Sequence, residues 1–500
     1  MPTTIQRETI VPPSDAATAG ELAKTFVVPL GSRSYSKQYA QLYDYRLAYL
    51  KKRILPRAKA RWVDNFEAFS QSQSQPASQL DTSDAGPSSP RLRMQDPPKL
   101  VDRILDVRHG DICYVVGNIY CAMPLKPDVL EDLTREQWLA PQPVRAKYVD
   151  YEKDELFIED QSGRVKLVGD AIRSGGPLRS MLITGVVAAV LGTETRTGNF
   201  DVVDAVFASL PVLQPAAPIS HKKAAAGDDQ WVVLMSGMAI GGESALESEL
   251  AMQLLVEYLT GELGDDADRA SSSRVVAAII AGNSLAPPTR SEDEDRPKRY
   301  GQEQPTFSSA PTLALDQLLS DLCSAMPVHL LPGERDPASV AIPQQPIHFA
   351  LLPRAGRFDS LHRHTNPAWL SLGNLKLLGT SGQNIDDIFK YVDEPDSARI
   401  DMALRTLEWG HLAPTAPDTL WCYPFKSTDP FVLKDRPDVL FVGNQPSYAS
   451  AMYTFDPDAD DKAQQGCRVV LVPEFARTRQ VVLLNLASLD TKLVTIDVPL

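Results

Sequence analysis

The hydrophobic period changes twice along this 500-residue chain, and those changes constrain the architecture more than any single motif. In the stretch LGSRSYSKQYAQLYDYRLAYLKKR, residues 30–53, Tyr35, Tyr39, Leu42, Tyr43 and Leu50 recur at near-helical spacing. A helical segment at 26–66 with an aromatic-rich docking face is expected. From 101 to 210 the period falls to two: DICYVVGNIYCAM, ELFIEDQSGRVKLVG, SMLITGVVAAVLG and NFDVVDAVFA are strand-like runs divided by polar or glycine-containing turns. After 228 strands and helices alternate: WVVLM, a helix near Ser244–Thr260, RVVAAIIAG, a helix near Thr312–Met326, then VHLLPG, NLKLLG, VLFVGN, CRVVLVPEF and QVVLLNLA. That order implies an α/β domain over 228–500, with function carried by loops at the carboxyl ends of its strands.

Several short strands within about a hundred residues suggest a small barrel over 101–215, and the acidic-glycine turn at Glu159–Leu167 resembles the second hairpin of an OB-fold. Residues 1–25 and a low-complexity linker at 67–100 are expected to lack fixed structure, since they offer too little apolar surface to offset their ordering entropy. Within the α/β domain, polar stretches near 265–274, 287–305 and 456–466 read as surface insertions, the last as a hairpin tip. Its acidic spacing lacks the glycine and terminal glutamate of a calcium loop.

Charge and cysteine usage narrow the function classes. With 50 Lys and Arg against 64 Asp and Glu, the net charge of −14 opposes a primary role in coating phosphates. Six basic residues between Lys51 and Arg61 are read as a solvated helix end rather than a nucleic-acid contact. Five cysteines without a CxxC pair read as reduced thiols of a cytosolic or nuclear compartment. No apolar run approaches 18 residues, so no membrane partner is expected. Gly379-Thr380-Ser381-Gly382 lacks the lysine and spacing of a phosphate loop and reads as a turn, while His362 and His364 in HRH supply too few ligands for a metal.

Strand ends in the second domain carry Ser236-Gly237-Met238, Gly282-Asn283, Gly333-Glu334-Arg335-Asp336 and Gly443-Asn444-Gln445-Pro446. The series resembles the calcineurin-like metallophosphoesterases, whose corresponding loops read D-x-H, G-D, G-N-H-D/E and G-H-x-H. Those loops hold two divalent ions about 3.5–4 Å apart that activate water on a phosphate. At the matching positions Ser236, Met238, Asn283, Glu334, Arg335, Asn444 and Pro446 replace ligands, leaving Asp336 and, in HLAPT, His411. All seven histidines, His411 included, lie outside these loop ends. The resemblance therefore implies a two-sheet α/β fold flanked by helices, with its catalysis lost and no metal or cofactor.

An OB-like barrel followed by such a domain resembles the B subunits of replicative DNA polymerases. Strings of their delta branch recur from about 26 to 490, including YVVGNIYCAMPLKP, LLPGERDP, IPQQP, LLGTSGQNIDDIFKY and HLAPTAPDTLWCYPFKSTDPF. That resemblance implies a nuclear, non-catalytic scaffold in replication and repair synthesis. Its partners would be the C-terminal domain of the catalytic subunit of DNA polymerase delta and the complex's third subunit, with nucleic acid contacted only indirectly. The alternative is a residual metal-dependent phosphodiesterase or nuclease using Asp336, Asn283 and His411; a third, disfavoured reading makes the barrel a single-strand DNA binder. His411 is preferred as a buried imidazole bonded to a neighbouring carbonyl. Tyr423, Phe425, Asp429 and Phe431, in a loop that also holds Thr415 and Asp418, are candidates for a partner anchor or for core packing.

Overall fold

The computed structural model describes residues 7–10, 13, 15–36, 38–74, 96–127, 145–211, 229–242, 246–287, 308–454 and 466–498. The core of the linker expected at 67–100 and the insertion expected at 287–305 lie almost wholly outside these residues. Two of the expected unstructured stretches are ordered in part. Helix α1 (Ala16–Ala23) is capped by Asp15, whose carboxylate accepts the Thr18 N–H at 3.1 Å. Behind it Leu22 and Phe26 are buried, four residues apart. Upstream, the Arg7 guanidinium donates to the carbonyls of Leu259, Ser272 and Val275. The expectation of disorder over 1–25 is thus corrected for the described part. A few well-placed anchors entering a formed surface suffice, and mean composition dilutes them.

Helix α2 (Ala40–Lys59) buries Leu42, Arg46, Leu47, Leu50, Ile54 and Ala58, one stripe at helical spacing. Tyr35 and Tyr39, expected on that face, are exposed instead. A π-helical turn, Ala60–Asp64, buries Trp62 and leads into α3 (Phe66–Ser74), which extends helix into the expected linker. The basic end of α2 is not simply solvated. Arg53 donates to the Leu433 carbonyl at 2.8 Å, Arg57 to Phe207 at 3.1 Å, and Arg61 pairs with Asp204 at 2.8 Å.

The surface that α2 covers is the barrel. Strand β1 (Lys99–Leu100) flanks β2 (Ile112–Ala122), β3 (Glu155–Glu159), β4 (Arg164–Val168), β5 (Val187–Glu194) and β6 (Phe200–Phe207), in the order β2-β3-β4-β6-β5 with β5 returning to β2. The β4–β6 pair is parallel, and antiparallel β2–β5 pairing closes the ring, removing every edge from the cylinder. At the acidic-glycine turn Asp160 accepts N–H bonds from Ser162, Gly163 and Ile104 at 2.7, 3.0 and 2.9 Å, which fixes the hairpin. Val187, Ala189 and Leu191 of β5 face α2 while Ala188 and Val190 face the barrel interior, so the run Val187–Leu191 is apolar throughout.

The α/β domain is a two-sheet sandwich. Strands β7 (Trp231–Met235), β8 (Val275–Ala281), β9 (Val328–Leu331) and β10 (Leu361–Arg363) run parallel in the first sheet. The second has the order β11 (Ala368–Leu372), β12 (Leu375–Thr380), β13 (Val439–Gln445), β15 (Gly466–Pro473), β14 (Ala449–Thr454). Strands β16 (Gln480–Asn485) and β17 (Thr491–Thr495) extend the first sheet beyond β7. Both faces of β8 are covered, which is why its seven positions are all apolar: Val276, Ala277, Ile279 and Ala281 belong to the cluster between the sheets, while Val275, Ala278 and Ile280 belong to the one that holds helices α4 (Leu246–Thr260) and α6 (Ala310–Ala325). Between α4 and β8 the expected insertion at 265–274 is helix α5 (Asp266–Ser273), started by a reciprocal Asp265–Asp268 capping box. Helices α7 (Gln383–Phe389) and α8 (Arg399–Trp409) cover the outer face of the second sheet, where one apolar cluster also runs into the barrel. Thr380-Ser381-Gly382 is the turn from β12 into α7. Strands β14 and β15 pair up to Thr454 and Gly466, and the segment between them lies outside the described residues.

Candidate functional site

The strand-end loops meet as the α/β topology requires. Ser236 follows β7, Asn283 follows β8, Gly333 to Asp336 follow β9, and Asn444 is the penultimate residue of β13. The Asn444 N–H donates to Ser236 Oγ at 2.8 Å, and its Nδ2 donates to the carbonyls of Ala281 and Ser381 at 3.1 and 2.8 Å. Asn283 Oδ1 accepts the Arg335 N–H at 3.1 Å. Both asparagines have φ near +55°, the left-handed region that their short polar side chains tolerate. The loops touch backbone to backbone: a Cβ on Gly333 would lie 2.3 Å from the Asn283 nitrogen, and one on Gly443 2.4 Å from the Ala281 oxygen.

Most polar groups of this cluster bond within it, while Asn444 Oδ1 and Ser284 Oγ are buried without a partner among the described residues. Asp336 is buried and accepts the N–H groups of Leu285 at 3.0 Å and Gly333 at 2.8 Å, while burial pushes its carboxyl above the usual range. Arg335, half exposed, pairs with Glu474 at 2.8 Å. Around them Gln344 donates to the Gly333 carbonyl at 3.0 Å, and Asn366 Nδ2 donates to Gln344 Oε1 at 2.8 Å and Ser381 Oγ at 2.7 Å. Met238 belongs to the helix-side core, Glu334 is exposed, and the Pro446 carbonyl accepts from Arg477 at 2.6 Å. Among the described residues no group of three or more His, Cys, Asp or Glu side chains is disposed to hold a metal. His362 and His364 meet His329, whose Nδ1 lies 3.0 Å from His364 Nε2; burial lowers all three pKa values, so the imidazoles are neutral at pH 7.

His411 belongs to a different cluster. It is buried where α2, the barrel and the sandwich meet, and its partner is a carboxylate rather than the expected carbonyl: Nε2–H donates to Asp429 Oδ2 at 2.9 Å, and Nδ1 accepts the Ala413 N–H at 3.2 Å. Asp429 also receives Arg46 Nε at 2.9 Å. The remaining guanidinium N–H groups reach the carbonyls of Gly185 in the barrel at 3.0 Å, Pro414 at 2.9 Å and Ala416 at 2.9 Å. Burial and the nearby Arg46 cation lower His411 to about 4, and His411 and Arg46 hold Asp429 far below the usual carboxylate range. Gly185, at φ +83°, leaves no room for a side chain, since its Cβ would overlap the Pro414 oxygen.

The aromatic loop turns inward as well. Asp429 and Phe431 are fully buried, Phe431 lies 6.1 Å from Phe26, and Phe425 packs edge-on against both Tyr423 and Phe431. Tyr423 Oη accepts the Ser34 N–H at 2.8 Å, and Asp418 pairs with Lys126 at 2.7 Å. Of the two readings open for this loop, core packing fits Asp429 and Phe431, while Tyr423 and Phe425 are partly buried. Sequence reasoning missed Arg46, Gln344, Asn366 and Ser381. Arg46 could have been flagged as the one charged residue in the apolar stripe of α2, and Gln344 and Asn366 by the prolines of IPQQP and TNP.

Two family models fall on this architecture. One, that of the DNA polymerase alpha/epsilon B subunits, matches residues 232–450 and thus the sandwich; the other, described as DNA polymerase delta subunit OB-fold domain, matches 38–205, the barrel with α2. Barrel, sandwich and the junction between them define a B-subunit architecture. The DNA polymerase delta small subunit of Arabidopsis thaliana is 38% identical over 392 residues, 78% of this chain and 83% of the relative. Its counterpart in Saccharomyces cerevisiae is 31% identical over 93% of this chain and 91% of its own length, and DNA polymerase delta subunit 2 of Drosophila melanogaster 32% over 94% and 95%. The chain belongs to the DNA polymerase delta small-subunit family.

Proposed function

We propose that this chain is a non-catalytic accessory subunit of DNA polymerase delta. It bridges the C-terminal domain of the catalytic subunit and the third subunit in the nucleus, and touches nucleic acid only through them. In this reading the sandwich is a calcineurin-like phosphoesterase fold from which the chemistry has been removed. The observation that carries it is the state of the strand-end loops. Where that fold would need carboxylate and imidazole ligands, Ser236, Asn283 and Asn444 bond to each other's loops, Met238 is core, and Asp336 gives both oxygens to backbone N–H groups. The donor set does not fit a two-metal centre. A residual hydrolase would need His411 beside Asp336 and Asn283, but both ring nitrogens of His411 are engaged at the Arg46 junction.

The remaining carboxylates suit a protein scaffold. The net charge of −14 favours gripping proteins over phosphates, and an apolar cluster continuous from barrel to sandwich presents both domains as one rigid platform. The test is purification of the full chain with and without the co-expressed catalytic subunit. The expected result is stable co-purification and no manganese-dependent phosphodiesterase activity. Hydrolysis that follows the pure chain and disappears with Asp336→Ala overturns the proposal.

A further inference from the structure

The two sheets of the sandwich have four edges, and three are closed by recognisable devices. Strand β10 spans three residues and carries His362 and Arg363, β11 lies against α1, and β17 carries Lys492. The fourth edge, β14, reads ASAMYT: six residues with no charge and no proline. Its register places Met452 opposite Arg468 of β15, whose N–H is directed the other way, to the Asp438 carbonyl at 2.8 Å. Opposed residues of an antiparallel pair exchange both main-chain bonds or neither. Met452, and by alternation Ser450 and Thr454, therefore turn N–H and C=O away from β15. These outward groups have no hydrogen-bond partner among the described residues, the Ser450 hydroxyl is buried without one, and Met452 is 37% exposed.

We propose that β14 is a docking edge that accepts an extended, uncharged segment of a partner protein as an added antiparallel or parallel strand. Its main-chain bonds run to Ser450, Met452 and Thr454. The occupant follows from the edge itself. A row of alternating donors and acceptors is matched only by extended backbone, and an uncharged row in an otherwise acidic chain selects a strand without acidic residues. A second copy is the poorer occupant, because each copy brings a net charge of −14 to the contact.

This inference rests on the chain being an assembly subunit, and its test separates the two. Hydrogen exchange of the peptide spanning 449–454 is compared in the full chain alone and in the co-expressed polymerase complex. Protection rising on the order of tenfold or more in the complex supports the added strand. Met452→Pro removes an outward N–H and no bond of the β14–β15 ladder, and Met452→Lys adds the guard that β14 lacks. Either substitution is expected to abolish that protection and release a subunit while leaving the unfolding temperature of the chain alone nearly unchanged. Failure of the unaltered chain to join a complex defeats the functional reading. A complex that forms with β14 unprotected, or that both variants assemble normally, overturns the docking edge. So does protection already present in the monomer, or protection that appears only with dimerisation of the chain alone.

Discussion

The junction around Arg46 and the strand-end loops around Asn444 are both buried polar clusters, but one is built of charges and the other of amides. At the junction one guanidinium, one carboxylate and one imidazole tie α2, a barrel turn and two loops of the sandwich. At the strand ends Asn283, Asn366, Gln344 and Asn444 cross-link neighbouring loops of a single domain. Charges serve where the tie is long in sequence, because a desolvated ion pair is strongly directional and tolerates no misplaced partner. Neutral amides serve where catalysis would otherwise need open ligands: they fill the space and satisfy the backbone. The contrast places the constraint for assembly at the junction and only local order at the loop ends.

The contrast breaks most severely at the junction. Asp429→Ala leaves Arg46 buried without its carboxylate and is expected to destabilise the chain by about 3–5 kcal/mol in denaturant unfolding. Replacing both residues with apolar ones of similar volume should recover much of that loss, and no recovery would mean that the pair itself, rather than the orphaned charge, is decisive.

pH separates the regions by sign. His411 sits at about 4 in the folded chain against 6.5 in its ordinary state, so between those values the unfolded chain binds the extra proton. Junction stability is complete above pH 6.5 and is lost as pH falls toward 4. Asp336, raised by burial, works oppositely: its contribution is present below 3.8 and is lost as pH rises through its folded value. His411→Gln should reduce the slope of stability between pH 6.5 and 4, with the buried His329, His362 and His364 keeping the rest; an unchanged slope would remove His411 as one of its sources.

Gly185→Ala puts a methyl group against the Pro414 oxygen at a positive φ, and a loss of about 2 kcal/mol is expected, with barrel and sandwich loosening together in hydrogen exchange. The smallest effect falls at the strand ends. Asp336→Asn retains one acceptor for its two backbone donors and should cost about 1 kcal/mol, with unfolding still a single transition. A larger loss there than at Gly185 would reverse the ranking of the two regions.

Much of this architecture was legible because hydrophobic period reports which faces are covered. The alternating runs became β2 to β6, and the Gly-ended runs became β7, β8, β9 and β13. The loops that carry Ser236, Asn283, Asp336 and Asn444 lie at one end of the sandwich, since parallel strands align their carboxyl ends. Helix α1 was missed because two anchors, Leu22 and Phe26, do the docking within a polar stretch. The α5 capping box was missed because its serines and aspartates look like loop composition. For Asp429 and Phe431 the sequence left partner anchor and core packing both open, because a Pro-punctuated aromatic loop reads alike whether it faces a partner or its own core.

The sequence by itself determined the order of modules, most of the strands and the larger helices within them, and the residue types at the strand ends, all of which depend on neighbours within a few positions. Tertiary structure alone decided that Arg46, His411 and Asp429, up to 383 positions apart, share one buried site, and that β14 lies at the margin of its sheet. Such pairings depend on which surfaces meet after folding, and local periodicity carries no record of them.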